Sequence, residues 1–343
     1  MLAATGGQDI PKGDRWAYEP KWDGFRALIF RADDRVIVQG RSGDDLGYAF
    51  PEIVNAALRD LPPRIVLDGE LVIINDGTLD FPAMGARIRP RSEAGGRAIT
   101  EMAAQSPAIF VAFDVLAIGD TSLLGESYTR RRAALEALGL ASDRLRTCPM
   151  TRDHDLATRW FHEFEGGGLD GVIVKDLAGP YTPGKRTLRK AKHERTLDAV
   201  VAGWRGKSQN PDEVASLLLG LYDGDVLHHV GVVSGFSAAR RRELSVELAP
   251  LALPPGATHP WLGDHPVGQR RPGTTHRWSR SRSQEWIPIA PVLVAEVAFD
   301  QFEGDRLRHV ARWLRWRPDR QPESCTVEQI PQPPTLDIDG LWP

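Results

Sequence analysis

Two cysteines in 343 residues, Cys148 and Cys325, are too few and too far apart in sequence to build a disulfide framework. A reducing compartment suits such a chain. Net charge is equally scarce: 43 Lys and Arg against 46 Asp and Glu leave −3. That argues against a protein that coats nucleic acid by charge alone. It leaves room for a local basic track, because binding depends on where the cations sit. No apolar run approaches a membrane span, and the N-terminal MLAATGGQDIPKGDRW has no basic-then-apolar signal pattern. No internal repeat or long low-complexity segment stands out. What is present is 41% hydrophobic and 26% charged residues, enough for packed cores under a soluble surface, in a length natural for two domains.

One stretch organises the rest: AYEPKWDGFRALIF, from Ala17 to Phe30. Lys21 stands between Glu19 and Asp23, followed by Gly24 and Arg26. One reading is a surface hairpin with a solvated ladder of Glu19, Lys21 and Asp23. The other makes Lys21 a covalent nucleophile. An ammonium with a reference pKa near ~10.4 cannot attack at neutral pH, so its site must favour the free amine. Desolvation or neighbouring cations, a bound metal ion included, would do that. A lysine attacking an α-phosphate forms a phosphoramidate and expels pyrophosphate. That chemistry needs a clamp for the base, a polar grip on the ribose, carboxylates for a divalent ion and further cations for the phosphates.

The downstream chain supplies candidates for each part. RALIFRADDRVIVQ reads as two strands about an Ala-Asp-Asp turn, followed by the Gly/Asp-rich loop that Arg41 opens. PEIVNAALRDL has helical spacing and stops at Pro62 and Pro63. RIVLDGELVIIN reads as a strand pair with Asp68-Gly69-Glu70 at its centre, either facing a site or exposed in a tight hairpin. Arg87 to Arg97 is expected to be a mobile loop. AIFVAFDVLAIG is a buried strand holding Phe113 and Asp114; two helices follow, SYTRRRAALEALGL and DHDLATRWFHEFEGGG. LDGVIVK is again a strand, entered through Asp170-Gly171 and closing on Lys175. Strands that return with an Asp-Gly or Phe-Asp step at one rim suggest a single cleft.

GPYTPGKR, from Gly179 to Arg186, nearly matches a phosphate-binding loop. Pro180 and Pro183 remove amide donors, and Arg186 stands where a hydroxyl should bind metal, so that reading is rejected. Lys185 and Arg186 stay as phosphate-side cations. In TLRKAKHERT, Lys190 and Lys192 flank Ala191 and would point the same way on an extended chain. From Leu197 the texture changes: three close strands, the helix SAARRRELSVELAPL, a Pro/Arg/Trp-rich excursion, then VLVAEVAFDQF and RLRHVARWLRW. A five-stranded OB-type barrel fits, and a generic β-domain is the alternative. The Pro-rich tail is expected to be loose.

Taken together these residues resemble the motifs of ATP-dependent DNA ligases: KWDG, LDGE, FVAFD, LDGVIVK, RKAK and RWRPDR, in that family's order. The likeness covers nearly the whole chain and is greatest for the small bacterial LigC type. It implies an α+β fold: a nucleotidyltransferase (adenylation) domain of antiparallel sheets and helices at 1–196, an OB-fold domain at 197–322 and a tail at 323–343. It implies sealing of 5′-phosphate/3′-hydroxyl breaks in duplex DNA through a lysyl-AMP and a DNA-adenylate, in DNA repair. ATP is then the substrate, with Mg²⁺ or Mn²⁺.

Carried over by residue, the resemblance makes Lys21 the AMP-lysine, with Glu19 beside the adenine and Arg26 and Arg41 on the ribose and phosphate side. Glu70 grips ribose or metal, and Phe113 stacks on the purine. Asp170 contacts metal, and Lys175, Arg186, Lys190 and Lys192 surround the α-phosphate. Arg317, Asp319 and Arg320 orient pyrophosphate when the barrel closes. Two positions depart from the family pattern. Asp170 replaces the usual Glu, one methylene shorter, which suggests metal contact through water. Arg320 replaces the usual Lys, a different kind of phosphate binder.

QRRPGTTHRWSRSR adds a DNA-binding candidate, with Arg270, Arg271, Arg277, Arg280 and Arg282 and no acid among them. The alternative is an Arg-rich surface loop. The expected partners are nicked or gapped duplex DNA and other repair proteins, for a bacterial cytoplasmic, nucleoid-associated monomer with no membrane contact. An RNA ligase or a GTP-dependent capping-type nucleotidyltransferase is the rival enzyme reading. A non-enzymatic OB binder is the third.

Overall fold

A computed structural model describes residues 2–5, 9–88, 96–164, 169–192, 195–207, 210–264, 266–273, 285–330 and 341–342; for 2–5, Asp170 and Pro211 it describes backbone only. The chain divides into two units, Met1–His193 with Pro333–Pro343, and Glu194–Gln332. The α+β class expected from the sequence is what the architecture shows.

The first unit is built on two sheets. One has four strands, in the order Leu2–Thr5, Arg186–Ala191, Leu169–Asp176 and Trp16–Trp22. The other runs Arg35–Gly40, Phe25–Ala32, Arg64–Asn75, Ala108–Ile118 and Thr121–Ser122, with two short strands attached. Each sheet buries one face under helix. Tyr18, Val172, Val174 and Ala191 pack on Ala157, Trp160 and Phe161 of the helix His154–Glu163. Ala27, Ile29, Leu67, Leu71 and Phe110 pack on Ile53, Ala56 and Ala57 of the helix Pro51–Asp60. Period-2 alternation therefore turns the polar residues of both sheets toward the opposite faces, where the motifs lie.

Two Asp-Gly steps differ from their hairpin readings. Trp16–Trp22 and Phe25–Ala32 belong to different sheets, so Asp23 and Gly24 carry the chain from one sheet to the other. A Cβ on Gly24 would lie 2.0 Å from the Leu71 carbonyl oxygen, so only glycine allows that passage. RIVLDGELVIIN is one unbroken strand, Arg64–Asn75, and not the expected pair. Its acids survive mid-strand because Asp68 finds Arg26 and Tyr181 as partners. Of the expected loop from Arg87 to Arg97, residues 89–95 lie outside the described residues, and a helix begins at Gly96.

The second unit is a closed barrel in the order Arg195–Lys207, Asn210–Asp223, Val226–Ser234, Ala311–Trp316 and Ile287–Phe299. Val226–Ser234 and Ala311–Trp316, the third and fifth barrel strands in chain order, pair in parallel, Val233 with Ala311, and helix Ala238–Leu248 follows the third, which is the OB arrangement. Leu197, Val201, Leu217, Leu219, Val230, Val294 and Val297 fill its core. Trp261 lies against the barrel, its indole donating to the Leu227 carbonyl at 2.9 Å. Of the tail expected to be loose, residues 331–340 and 343 lie outside the described residues, while its start is ordered against the barrel. Cys325 and Ile330 are buried with the barrel core, because Pro322–Ser324 and Val327–Gln329 form short turns against it. Trp342 stacks on Trp22 of the first unit at 5.1 Å.

Candidate active site

In the four-stranded sheet, Ile173 pairs with Glu19 on one side and Lys190 on the other. Directly paired residues share a face, and so do residues two apart on a strand. Glu19, Lys21, Lys175 and Lys190 thus rise from one surface, and Lys192 follows just past the strand's end. Gly171 lets these strands close up: a Cβ there would stand 2.0 Å from the Ala191 carbonyl oxygen, at a φ of +117°. In the facing sheet, Arg26 pairs with Glu70 and Leu28 with Asp68, so Arg26, Asp68 and Glu70 share the other wall.

Phe113 owes its placement to an irregular register. Asp68 pairs with Asp114, but Gly69 pairs with Ala112, which leaves Phe113 as the extra, bulged residue. Asp114 turns away and is buried against Arg131, which donates to it at 2.8 and 3.1 Å. Bulging frees the Phe113 carbonyl, which accepts from Lys175 Nζ at 2.9 Å. The Phe113 ring lies 4.9 Å from that ammonium and 5.8 Å from the Arg26 guanidinium.

Lys21 is half-buried, whereas Glu19 and Lys175 are each only 2% exposed. Those two form a buried ion pair of 2.8 Å. Glu19 also accepts from the Tyr128 hydroxyl and stands 3.7 Å from Arg132. Burial, with Glu19 next, raises the Tyr128 hydroxyl well above its ordinary pKa, so it stays a donor. Lys175 reaches a phosphate only if its bond to Glu19 opens. Arg26 grips Asp68 with two hydrogen bonds of 3.0 and 2.6 Å, and Tyr181 donates to the same carboxylate at 2.8 Å. Burial opposes the charge of Arg26, but Asp68 outweighs it and holds the guanidinium protonated.

Glu70 is the perturbed acid of the site. Burial pushes its carboxyl up to about 8 despite the nearby charge of Lys21, and Asp23 adds to the rise. Its Oε1 accepts from the Gly24 amide at 3.2 Å. A desolvated carboxylate of this kind is one that a cation or a ribose hydroxyl would satisfy. Arg41 is exposed in the turn after Gly40, and Arg186 is exposed at the start of its strand. Asp170 sits at the strand's entry, but its side chain lies outside the description.

In the barrel unit, Arg317 is held by Asp198 and Asp319, and Arg320 approaches Asp198 at 3.4 Å. Arg270 pairs with Asp305 at 2.7 Å, and Arg271 is half-buried. Arg277, Arg280 and Arg282 lie outside the described residues. Sequence reasoning singled out Asp68 without giving it a role, and missed Tyr128, Arg132, Tyr181 and Asp198. The Arg-rich helix start and the aromatic of GPYTPGKR were the signals for the first three, and Asp198 had none.

The model of the ATP dependent DNA ligase domain matches residues 3–192, and that of the ATP dependent DNA ligase C terminal region matches residues 210–320. The chain belongs to the ATP-dependent DNA ligase family. It is 45% identical over 341 residues to DNA ligase C2 of Mycolicibacterium smegmatis, covering 97% of this chain and 94% of that one. DNA ligase C of Mycobacterium tuberculosis is 43% identical over 336 residues, covering 95% and 92%. A solved Lig E DNA ligase shares the fold, with a TM-score of 0.56 at 18% identity over 92% of this chain and 98% of that one. As a family member this chain is an ATP-using DNA ligase, as its motif order implied.

Proposed function

We propose that this ligase seals 5′-phosphate/3′-hydroxyl breaks in duplex DNA in three transfers. The Lys21 amine attacks the α-phosphorus of ATP; a P–N bond forms and the bond to pyrophosphate breaks. AMP then passes to the 5′-phosphate of DNA, and the 3′-hydroxyl attacks that phosphate and expels AMP. The observation that carries this is Lys21 itself, half-buried on a face shared with Lys190 and close enough to Glu70 to oppose its pKa rise. Lys190, Lys192 and Arg186 supply phosphate-side charge, Arg26 and Arg41 the ribose side, and Phe113 the stacking ring. Glu19 and Lys175 form the floor of the base site. Arg317, Asp319 and Arg320 handle pyrophosphate.

Among the described residues no three His, Cys, Asp or Glu gather as a metal site. Glu70, whose buried carboxyl accepts only the Gly24 amide at 3.2 Å among its described hydrogen bonds, nevertheless fits a divalent ion that takes one or two carboxylates and completes its shell with phosphate oxygens and water. Asp170 is the second ligand the resemblance implies, and its side chain lies outside the described residues. Such an ion would neutralise phosphate charge and favour the free amine of Lys21. The proposed substrate is nicked or gapped duplex DNA, met by a cytoplasmic, nucleoid-associated monomer working with other repair proteins. The names of the mycobacterial relatives support DNA as substrate, and one at 31% identity, from Mycobacterium tuberculosis, is named a multifunctional non-homologous end joining DNA repair protein. No helix among the described residues is long and apolar enough to cross a membrane.

The test is incubation with labelled ATP or GTP, followed by nicked DNA or RNA. A labelled adduct from ATP that is then discharged onto nicked DNA is expected. Lys21→Ala and Lys21→Arg should form no adduct, since guanidinium is no nucleophile. An adduct on either variant refutes the assignment.

A further inference from the structure

Asp198 lies on the first barrel strand and pairs across to Glu296, which pairs in turn with Arg315. Direct partners share a face, so these three side chains form one row on the barrel surface. Arg317 enters this row from the turn after the last strand, its amide donating to the Val294 carbonyl at 2.8 Å. Its Nη1 donates to both oxygens of Asp198, each at 2.9 Å. Its Nε and Nη2 donate to Asp319 at 2.9 and 2.7 Å. Arg320 Nε stands 3.4 Å from the same Asp198 carboxylate, and Arg315 pairs with Glu296 at 2.5 Å.

The charges on this face cancel. Arg315, Arg317 and Arg320 stand against Asp198, Glu296 and Asp319. A pyrophosphate anion meeting a formally neutral cluster gains little, and the donors of Arg317 that it needs are already taken by carboxylates. Asp319 is two residues from Arg317 and moves with it. Asp198 is 119 residues away on another strand, so its hold on Arg317 is the one that a conformational change can release.

We propose that Asp198 is a positioning residue that keeps Arg317 and Arg320 in a charge-neutral resting arrangement, from which the pyrophosphate end of ATP must displace them. The proposal rests on the reading that Arg317 and Arg320 engage pyrophosphate. It gives the protein a reason to release its first product: once pyrophosphate loosens, Asp198 reclaims both arginines. Asp198→Asn keeps the shape of the side chain and removes its charge, leaving the face at a formal +1.

The experiment is self-adenylation of the full chain with labelled ATP, titrated with inorganic pyrophosphate. Asp198→Asn should lower the pyrophosphate concentration for half-inhibition by roughly 2- to 5-fold, the range for loss of a competing, partly exposed ion pair. Asp198→Glu, which restores the charge, should return it toward the parent value. Sealing of a nick already adenylated at its 5′ end releases no pyrophosphate and reports whether the barrel is intact. Should Asp198→Asn fail that check, Asp198→Ser removes the same charge and takes its place. Half-inhibition that is unchanged or higher in the charge-removing variant overturns the proposal. Arg317→Ala separates the two levels: normal self-adenylation there overturns the pyrophosphate reading itself.

Discussion

The Glu19–Lys175 pair makes the most demanding claim about how the cleft is held together. Lys175→Met keeps the length and flexibility of the side chain and deletes the ammonium. Glu19 would then retain the Tyr128 hydroxyl and Arg132 at 3.7 Å, so a partly compensated carboxylate stays buried. Glu19→Gln leaves instead a buried ammonium with no carboxylate against it, held among the described residues by the Phe113 carbonyl at 2.9 Å, by rings 4.9 and 4.7 Å away and by the neutral amide oxygen of the substituted side chain. Removing one partner of a buried pair costs about 3–5 kcal/mol. Because Glu19 keeps more partners, Lys175→Met should fall near about 3 kcal/mol and Glu19→Gln nearer about 5. The double variant leaves no orphan charge, so it should cost less than the sum, by about 2–3 kcal/mol. Urea unfolding of the full chain measures this, following the transition of the first unit. At about 1–3 kcal/mol per molar urea, the single variants should move its midpoint by ~1 M or more. Single variants within about 0.5 kcal/mol of the parent, or an additive double variant, would show that the pair carries no such energy.

Three other outcomes follow from the same geometry. Gly171→Ala puts a Cβ against the Ala191 carbonyl at a left-handed φ, so it should cost about 3 kcal/mol or more and slow adduct formation by displacing the Lys190 strand; unchanged melting and rate would contradict this. Glu70 has a folded pKa of about 8 against an ordinary 4.5, so the folded state holds the extra proton between those values. Its contribution is complete below the unfolded pKa and is lost as pH rises through 8, so the nucleotide-free protein should melt lower as pH climbs from 5 to 9. Glu70→Gln should flatten that trend, and parallel curves for the two proteins would argue against it. Replacing Arg277, Arg280 and Arg282 together with Ala should weaken nicked-DNA binding alike for all sequences and reduce the log–log salt slope by about 0.9 per lost phosphate contact, with self-adenylation unaffected. Superimposable salt titrations would remove those arginines from the interface.

Local patterning carried much of the fold. The closely spaced apolar runs from Leu197 to Val233 and the helical spacing of Pro51–Asp60 are properties of short windows, and they became the elements they suggested. The motif order, read as one linear series, placed the chain in its family and singled out Lys21. Glycine was informative for a different reason, since a missing Cβ can be read in a string. What Gly24 and Gly171 make room for, the carbonyls of Leu71 and Ala191, could not be.

Tertiary structure decided whatever depends on which strand lies beside which. Pairing partners far apart in the chain leave no local trace, so nothing in KWDG says that its Asp-Gly step links two sheets. Nothing in LDGVIVK says that Lys175 is buried against Glu19 rather than free in the cleft. Asp68 and Tyr181 meet across 113 residues, and Asp198 and Arg317 across 119. Each of these side chains is an ordinary polar residue in its own window. The charges become a site only where the register brings them onto one face and burial removes the water that would otherwise screen them.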